Sequence, residues 1–235
     1  MDRRGTRVPW ASITNAKSGF IDFIAERSSL RCVFECKRTK GGEWVFLLPE
    51  KSEPTTQLRT LWSFLAKDQT KAWGWDDLHF EPATLRSEFC IVRCGSDDDK
   101  PMLERIAAEV VRASESLAGE ELGMKGQYAG ASGYLPVIVT NAKLVACHVA
   151  LGEVDVEKGE LPSSAWFEEV GAIRFRKALP SDLTHPPESY ASIQESLKLN
   201  ERSVFVVNVG HLTNWLKAVR EILQRSSTVP WKHME

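Results

Sequence analysis

Short, mostly apolar runs with a few charged residues among them occupy much of the first fifty positions and predict β-strands. Two such runs occupy residues 19–26 and 30–37, and the polar stretch 27–29 separates them. A short polar gap between two such runs is typical of a β-hairpin. A third run at 44–48 lies between a glycine pair and a proline, so the N-terminal part of the chain is predicted to form an antiparallel meander of three strands.

Later segments alternate between helical and strand-like periodicity. Residues 101–118 have apolar side chains at helical spacing behind a proline and several acids, which favours an amphipathic helix. Residues 50–85 lack a clear period and are predicted to be an irregular excursion with a short helix at 58–65. Further strands are predicted at 89–93, 135–140, 143–151, 166–175 and 203–209, the second and third of them paired as a hairpin, and a last helix at 211–223.

These elements predict one α/β domain over residues 1–235, with a mixed sheet flanked by helices. The domain would contain a hairpin at 19–37 and a C-terminal strand and helix at 203–223, with a frayed tail at 225–235. A chain of 235 residues with 43% hydrophobic content suits such a domain. Its core can be large enough to be stable without a disulfide or a structural metal.

Charge adds one local feature. The formal net charge of −2 gives no global signature of nucleic-acid binding. Residues 1–40 differ, because they contain nine Lys or Arg and only four acids, a local net charge of +5. Such a stretch could attract a phosphate backbone, although an ordinary basic surface explains it equally well.

Several familiar kinds of site are not indicated. The five cysteines form no Cys-x-x-Cys pair, and no two of the five histidines have metal-ligand spacing. Neither a P-loop nor a Gly-x-Ser-x-Gly motif occurs. No signal peptide or long apolar span is visible, so a reducing, cytoplasmic setting without a membrane partner is expected. Trp73 and Trp75 could stack on nucleic-acid bases, but anchoring of a loop on the core is the favoured interpretation.

The first predicted hairpin brings together side chains that can perform chemistry. Because side chains alternate faces along a strand, Glu35 and Lys37 share a face, and Cys36 points the other way, towards the core. If residues 28–29 form a two-residue turn, Asp22 lies directly opposite Glu35. Their Cβ atoms would then be roughly 5 Å apart.

Two carboxylates in this arrangement repel each other unless a positive charge compensates for them. Mg²⁺ is the expected compensator, because it binds one or two carboxylates together with water and phosphate oxygens. Lys37 adds a neighbouring cation that can hold a phosphate or an attacking water. A Lewis acid, an activated water and a stabilising cation are what phosphodiester hydrolysis requires. The alternative is a surface hairpin with an ordinary salt bridge.

This constellation resembles the motif of the PD-(D/E)xK nuclease superfamily, in which an acid on one strand is followed, after a variable gap, by (D/E)-x-K on the next. Here the acid is Asp22, and the second part is Glu35-Cys36-Lys37. The motif-level likeness covers roughly residues 19–48 and includes the apolar residues around the acids.

Outside the motif, the predicted helix at 101–118 and the strand at 135–140 are loosely similar to the family's later core elements. The resemblance implies a restriction-endonuclease-like fold. It also implies a metal held by Asp22, Glu35 and the backbone carbonyl of Cys36, with Lys37 orienting the hydrolytic water.

The implied activity is metal-dependent endonuclease cleavage, with Mg²⁺ as cofactor and Mn²⁺ as a substitute. The substrate would be nucleic acid, DNA rather than RNA, in restriction, antiphage defence or repair. Many nucleases cut both strands as dimers, and the apolar strand at 204–209 could lie in a core or at an interface. The sequence therefore leaves open whether the protein forms a homodimer.

The sequence departs from the family pattern before Asp22. The family usually has a helix there, often with a glutamate, whereas eighteen residues precede Gly19 and Asp2 is their only acid. This departure supports a competing hypothesis, in which the chain is a catalytically inactive module of the nuclease fold that binds nucleic acid or a protein partner.

Overall fold

The computed structural model of the protein describes residues 2–4, 8–12, 14, 17–39, 42–65, 71–93, 102–124, 130–153, 161–183 and 198–221. Most of this part of the chain is β-strand. The strands are β1 (Asp2–Arg4), β2 (Val8–Ala11), β3 (Ser18–Ile21), β4 (Phe23–Arg27), β5 (Leu30–Lys37), β6 (Glu43–Pro49), β7 (Thr55–Leu65), β8 (Lys71–Thr84), β9 (Arg86–Ser87), β10 (Phe89–Arg93), β11 (Gly130–Thr140), β12 (Lys143–Val149), β13 (Trp166–Glu169), β14 (Ala172–Ala178), β15 (Glu201–Asn208) and β16 (Arg220–Glu221).

Two α-helices lie wholly within the described ranges, α1 (Met102–Met124) and α2 (Leu212–Ala218). α1 extends beyond the predicted end near residue 118, because its last turns still bury apolar side chains such as Leu122, which is 5% exposed. The predicted last helix at 211–223 is too long, since α2 ends at Ala218 and the short strand β16 follows. The predicted tail at 225–235 lies outside the described residues.

The largest sheet is mixed and has ten strands, which confirms the expected α/β class with a mixed sheet. Its main path is β1-β4-β5-β11-β15-β14-β9. A branch starts where β7 pairs with the amino-terminal half of β11; β8 then pairs with β7, and β16 with β8. The centre is parallel, because β11 pairs in parallel with both β5 and β15. The flanking pairs β4–β5 and β14–β15 are antiparallel.

A second sheet of four strands has the order β10-β6-β12-β13. Here β6 pairs with β10 and β12, and not with β5, so the predicted N-terminal antiparallel meander is wrong in its third strand. The predicted hairpin at 135–151 is also wrong, because β11 and β12 follow each other along the chain but lie in different sheets. The remaining pair, β2 and β3, forms a separate two-stranded sheet.

Residues 50–85 differ most from the expected irregular excursion. The predicted short helix at 58–65 is strand β7, which pairs antiparallel with β8 in a long hairpin. The apolar residues of β7 also fit helical spacing, and short apolar runs of this kind do not separate the two structures.

Two buried layers enclose the central strands. Val33 and Ile138 belong to the main core, which also contains the apolar side chains of α1 and of the four-stranded sheet. Phe34 and Val137, their chain neighbours, lie on the opposite face in a second cluster with Trp215 of α2. Strands buried on both faces are nearly continuous apolar runs. The apolar residues 204–207 are such a run, and they lie in the core rather than at an exposed interface.

None of the helices in the described ranges is long and apolar enough to cross a lipid bilayer.

Candidate functional site

The hairpin of β4 and β5 carries the candidate site, and its register matches the prediction. Arg27 pairs with Leu30 across a two-residue turn, and the antiparallel pairing continues to Phe23 and Phe34. The ladder ends at this pair, and Asp22 and Glu35 are the next residues beyond it on the two chain segments. Asp22 itself occupies a bend between β3 and β4, so the predicted continuous strand at 19–26 is interrupted there. Its backbone N–H donates to the carbonyl of Phe34 at 3.1 Å, which keeps the bend attached to β5.

The side chains of the three motif residues converge on the end of β5. The Asp22 carboxylate accepts a hydrogen bond from the backbone N–H of Cys36 at 2.7 Å. Lys37 Nζ lies 2.5 Å from Glu35 Oε1, as expected for two residues on one face of a strand. The Asp22 carboxylate therefore contacts the backbone of the residue that follows Glu35, and the ammonium group of Lys37 partly compensates for the negative charge.

Cys36 lies near both acids, and the charges of Asp22 and Glu35 affect the pKa of its thiol. Its side chain is exposed, so the expectation that it points into the core is wrong, although Cys32 on the same face is fully buried. The difference arises because Cys36 stands near the end of the strand, beyond the side chains that cover Cys32. Desolvation, and after it the negative charges of Asp22 and Glu35, raise the pKa of the Cys36 thiol to about 11 against the opposing effect of Lys37.

The donor set fits a hard cation with few protein ligands. In the described residues, no group of three or more His, Cys, Asp or Glu side chains could hold a metal ion. Asp22 and Glu35 offer two carboxylates, and the Cys36 carbonyl adds a neutral oxygen on the same strand. Mg²⁺ commonly binds through one or two carboxylates and keeps several waters, whereas a closed structural zinc site needs four ligands.

A cavity of about 840 Å³ opens beside Glu35. Its walls come from the β2–β3 hairpin, the end of β5, the first half of α1 and the segment after β14. Its apolar surface includes Trp10, Phe20, Val33 and Leu179, and its charged side chains are Lys17, Glu35, Glu104, Arg105, Glu109 and Arg112. The candidate site therefore lies at the edge of a mixed apolar and charged cavity rather than on a flat surface.

Buried polar contacts hold the walls of this cavity together. Glu115 of α1 accepts hydrogen bonds from the Trp75 indole N–H and from the backbone N–H of Asp182, both at 2.7 Å. Burial raises the pKa of Glu115, and these hydrogen bonds, together with that from Ser181, oppose the rise. Asp182 in turn accepts a hydrogen bond from Ser12 Oγ at 2.6 Å. α1, the segment after β14 and the end of β2 are thus linked in one network.

Gly19 shapes the wall formed by β2 and β3. A Cβ atom at this position would lie 2.9 Å from Nε1 of Trp10, which pairs with Gly19 across the two strands. The absence of a side chain allows the indole ring to pack against the backbone. Trp10 is therefore buried, and the neighbouring Phe20 side chain is the one that remains exposed.

The sequence did not identify Phe20, Arg105 or Arg112 as site residues. Each of them lines the cavity, but an apolar residue in an alternating run and arginines on a helix have ordinary structural roles. One signal was present for Phe20: β3 alternates, and its buried position is Ile21, which puts Phe20 on the exposed face.

The other sequence candidates have structural partners. Trp75 is buried, which supports the anchoring interpretation, and Trp73 packs against the main core. His148 stacks on Trp166 at 3.8 Å between ring centroids and hydrogen bonds to Glu168 at 2.9 Å. Within the basic N-terminal stretch, Arg31 pairs with Glu121 on α1 at 2.6 Å.

No family model, curated protein or solved structure matches this chain. Its function is therefore inferred from the residues of the site and their geometry.

Proposed function

We propose that this chain is a divalent-metal-dependent nuclease of the PD-(D/E)xK type that hydrolyses phosphodiester bonds. Asp22, Glu35 and the backbone carbonyl of Cys36 are the metal ligands, and Lys37 orients the attacking water and stabilises developing negative charge. Mg²⁺ is the proposed cofactor, and Mn²⁺ can replace it. By resemblance to this superfamily, DNA is the favoured substrate over RNA, and restriction, antiphage defence or repair is the proposed setting.

The convergence of Asp22, Glu35 and Lys37 at the end of β5 is the observation that carries the proposal. Asp22 and Glu35 directly follow the last pair of the β4–β5 ladder, Phe23 and Phe34, which supports the cross-strand arrangement of the motif. The 2.7 Å hydrogen bond from Cys36 N–H fixes the Asp22 carboxylate next to the residue whose carbonyl is the third proposed ligand. A hairpin with an ordinary salt bridge has no need of a second carboxylate opposite the ion pair.

The elements after the hairpin give further support. The chain passes from β5 through the four-stranded sheet to α1, and then returns in β11, which pairs parallel with β5. α1 contacts both of these strands. A helix followed by a strand parallel to the motif strand agrees with the resemblance seen in the sequence, and it supports a restriction-endonuclease-like core.

The chemistry assigns a different task to each side chain. A bound divalent cation supplies Lewis acidity and lowers the pKa of a bound water. Asp22 and Glu35 hold that charge next to the substrate phosphate. Lys37 is held beside the proposed metal ligand by the 2.5 Å contact between its Nζ and Glu35 Oε1. Its ammonium group can then donate to the attacking water or to a phosphate oxygen.

An inactive binding module is the competing proposal, and the structure before Asp22 favours it. The described residues that precede the bend form strands β1, β2 and β3, and none of them is in a helix with a glutamate. Such a module would keep the hairpin and the cavity but would not hydrolyse the bound strand.

Cleavage assays separate the two proposals. Supercoiled plasmid, linear DNA and RNA are incubated with the protein in Mg²⁺, Mn²⁺ or EDTA. We expect wild type to cut in either metal and not in EDTA, and Lys37→Ala to reduce the rate by about 100-fold or more.

Lys143→Ala is the matched control, because Lys143 is also a strand lysine near a carboxylate, with Glu169 at 3.4 Å, but lies on the other sheet. Its activity should equal that of wild type. If wild type cuts no DNA or RNA in either metal, the nuclease proposal fails and the binding module replaces it.

A further inference from the structure

Phe20 is an exposed aromatic side chain inside the cavity that Glu35 borders. Its exposure is 58%, the highest among the large apolar side chains in the described ranges, and it stands two residues before Asp22. Exposing a phenylalanine ring to water in this way is unfavourable. An aromatic ring that stays accessible beside a candidate phosphodiester site has the properties of a stacking platform for a base.

The cavity also holds cationic groups placed for phosphate. Lys17 and Arg105 are exposed, and Arg112 is 8% exposed. Arg112 Nε is a buried donor without a hydrogen-bond partner in the described residues, and it forms only a long ion pair of 3.8 Å with Asp182. A buried donor without a partner costs free energy unless a ligand or a water satisfies it. The guanidinium group suits a phosphate oxygen, which accepts charge-assisted hydrogen bonds.

The carboxylates in the same cavity do not fit a site for phosphate alone. Glu104 forms an ion pair with Lys177, at 2.5 Å between Oε1 and Nζ. Glu109 is exposed one helical turn after Arg105. Carboxylates repel phosphate but accept hydrogen bonds from the exocyclic amino groups of bases. The cavity therefore combines an aromatic face, cations and hydrogen-bond acceptors, which match the base and the phosphate of one nucleotide.

We propose that this cavity binds one unpaired nucleotide of the strand that is cut at Asp22 and Glu35, with its base stacked on Phe20. The substrate class is then single-stranded or locally unpaired nucleic acid, such as flaps, gaps and frayed ends. This inference rests on the proposed function, since it places the reacting phosphate at that site.

The size and chemistry of the cavity select an unpaired nucleotide over a base pair within a duplex. Its volume of about 840 Å³ is in the range of sites for single small ligands. Within a duplex, both faces of every base are covered by neighbouring bases, so the Phe20 ring cannot stack on one without unstacking it. An unpaired base can present its face to the Phe20 ring at little cost in free energy.

Oligonucleotide binding in EDTA tests the cavity without cleavage. Fluorescence anisotropy compares a labelled single strand with the same strand in a blunt duplex, at one salt concentration. We expect wild type to bind the single strand more tightly, and Phe20→Ala to weaken that binding by about tenfold while duplex binding stays unchanged. Phe20→Trp should keep the preference, because it retains an aromatic face.

Phe167→Ala is the matched control, since Phe167 is 53% exposed but lies on the four-stranded sheet, away from the cavity. It should bind both oligonucleotides like wild type. Equal affinity for single strand and duplex, or a Phe20→Ala variant with wild-type single-strand affinity, overturns the cavity proposal.

The cleavage assay distinguishes a failure of the cavity proposal from a failure of the nuclease proposal. A wild type that cuts duplex and single strand alike, with no effect of Phe20→Ala, overturns the cavity proposal and leaves the nuclease. A wild type that binds single strands through Phe20 but cuts nothing in Mg²⁺ or Mn²⁺ overturns the nuclease and leaves a single-strand-binding module.

Discussion

At the residue scale, the pKa of the Cys36 thiol is a measurable property that depends on the charge of the site. The thiol is exposed, and its pKa of about 11 depends partly on the carboxylates of Asp22 and Glu35. Only the thiolate reacts with alkylating reagents. Because the pKa is raised, little thiolate is present at pH 8, and reactivity should increase as the pH rises towards about 11.

A divalent cation between Asp22 and Glu35 should therefore accelerate alkylation of Cys36. The cation offsets the negative charge that raises the thiol pKa, and each unit of decrease gives about ten times more thiolate at pH 8. We expect millimolar Mg²⁺ to increase the iodoacetamide rate about threefold or more, as measured by mass spectrometry of the peptide that contains Cys36. Asp22→Asn should react faster than wild type without metal and should lose the response to Mg²⁺.

Cys32 is the internal control, because it is fully buried, and desolvation raises its pKa to about 12. Its alkylation should stay slow with and without Mg²⁺. A Cys36 rate that Mg²⁺ leaves unchanged in wild type would be evidence against a cation at Asp22 and Glu35.

At the element scale, the turn of the β4–β5 hairpin sets the register that the site depends on. Ser28 has a φ of 53°, in the left-handed region that is unfavourable for most residues other than glycine and asparagine. Ser28→Asn should therefore stabilise the protein by about 0.5 kcal/mol, measured by urea denaturation. Ser29→Asn is the control, because Ser29 has no positive φ and should give no such gain. A loss of stability in Ser28→Asn would contradict this account of the turn.

The same hairpin shows which elements could be predicted from the sequence. A two-residue turn fixes the register of its strands, so the pairing of Phe23 with Phe34, next to Asp22 and Glu35, followed from local residues alone. The partner of β6 did not, because β6 pairs with β12, about a hundred residues later in the chain. β7 was predicted as a helix because Leu58, Leu61 and Leu65 also satisfy helical spacing, and only its pairing with β8 and β11 decides the structure.

The cavity was not predicted for a related reason. Its walls come from four separate segments of the chain, and Phe20 becomes a candidate only when they are brought together. The motif residues could be found because they lie on one local hairpin. Residues that act through a cavity assembled from distant segments carry no comparable local pattern.

At the scale of the whole molecule, the site should couple metal binding to stability. Opposed carboxylates destabilise a hairpin, and here Lys37 and the Cys36 N–H offset part of that cost. A ligand that binds only the folded state stabilises it by RT ln(1 + L/Kd), where L is the concentration of free ligand. The carboxylates of Asp22 and Glu35 are thus expected to destabilise the metal-free protein and to be the source of its stabilisation by Mg²⁺.

Thermal unfolding of wild type and Asp22→Asn tests this coupling. The amide oxygen of asparagine can still accept the hydrogen bond from Cys36, so the variant removes charge and keeps the contact. Without metal we expect the melting temperature of Asp22→Asn to equal or exceed that of wild type. At Mg²⁺ concentrations about ten times the Kd, wild type should gain about 1.4 kcal/mol, or about 3–5 °C, and the variant should gain little. Glu43→Gln, which removes a carboxylate of the other sheet near Lys143, should gain as much as wild type. Equal Mg²⁺ stabilisation of wild type and Asp22→Asn would place the metal elsewhere, because a site that uses the Asp22 carboxylate must respond to its neutralisation.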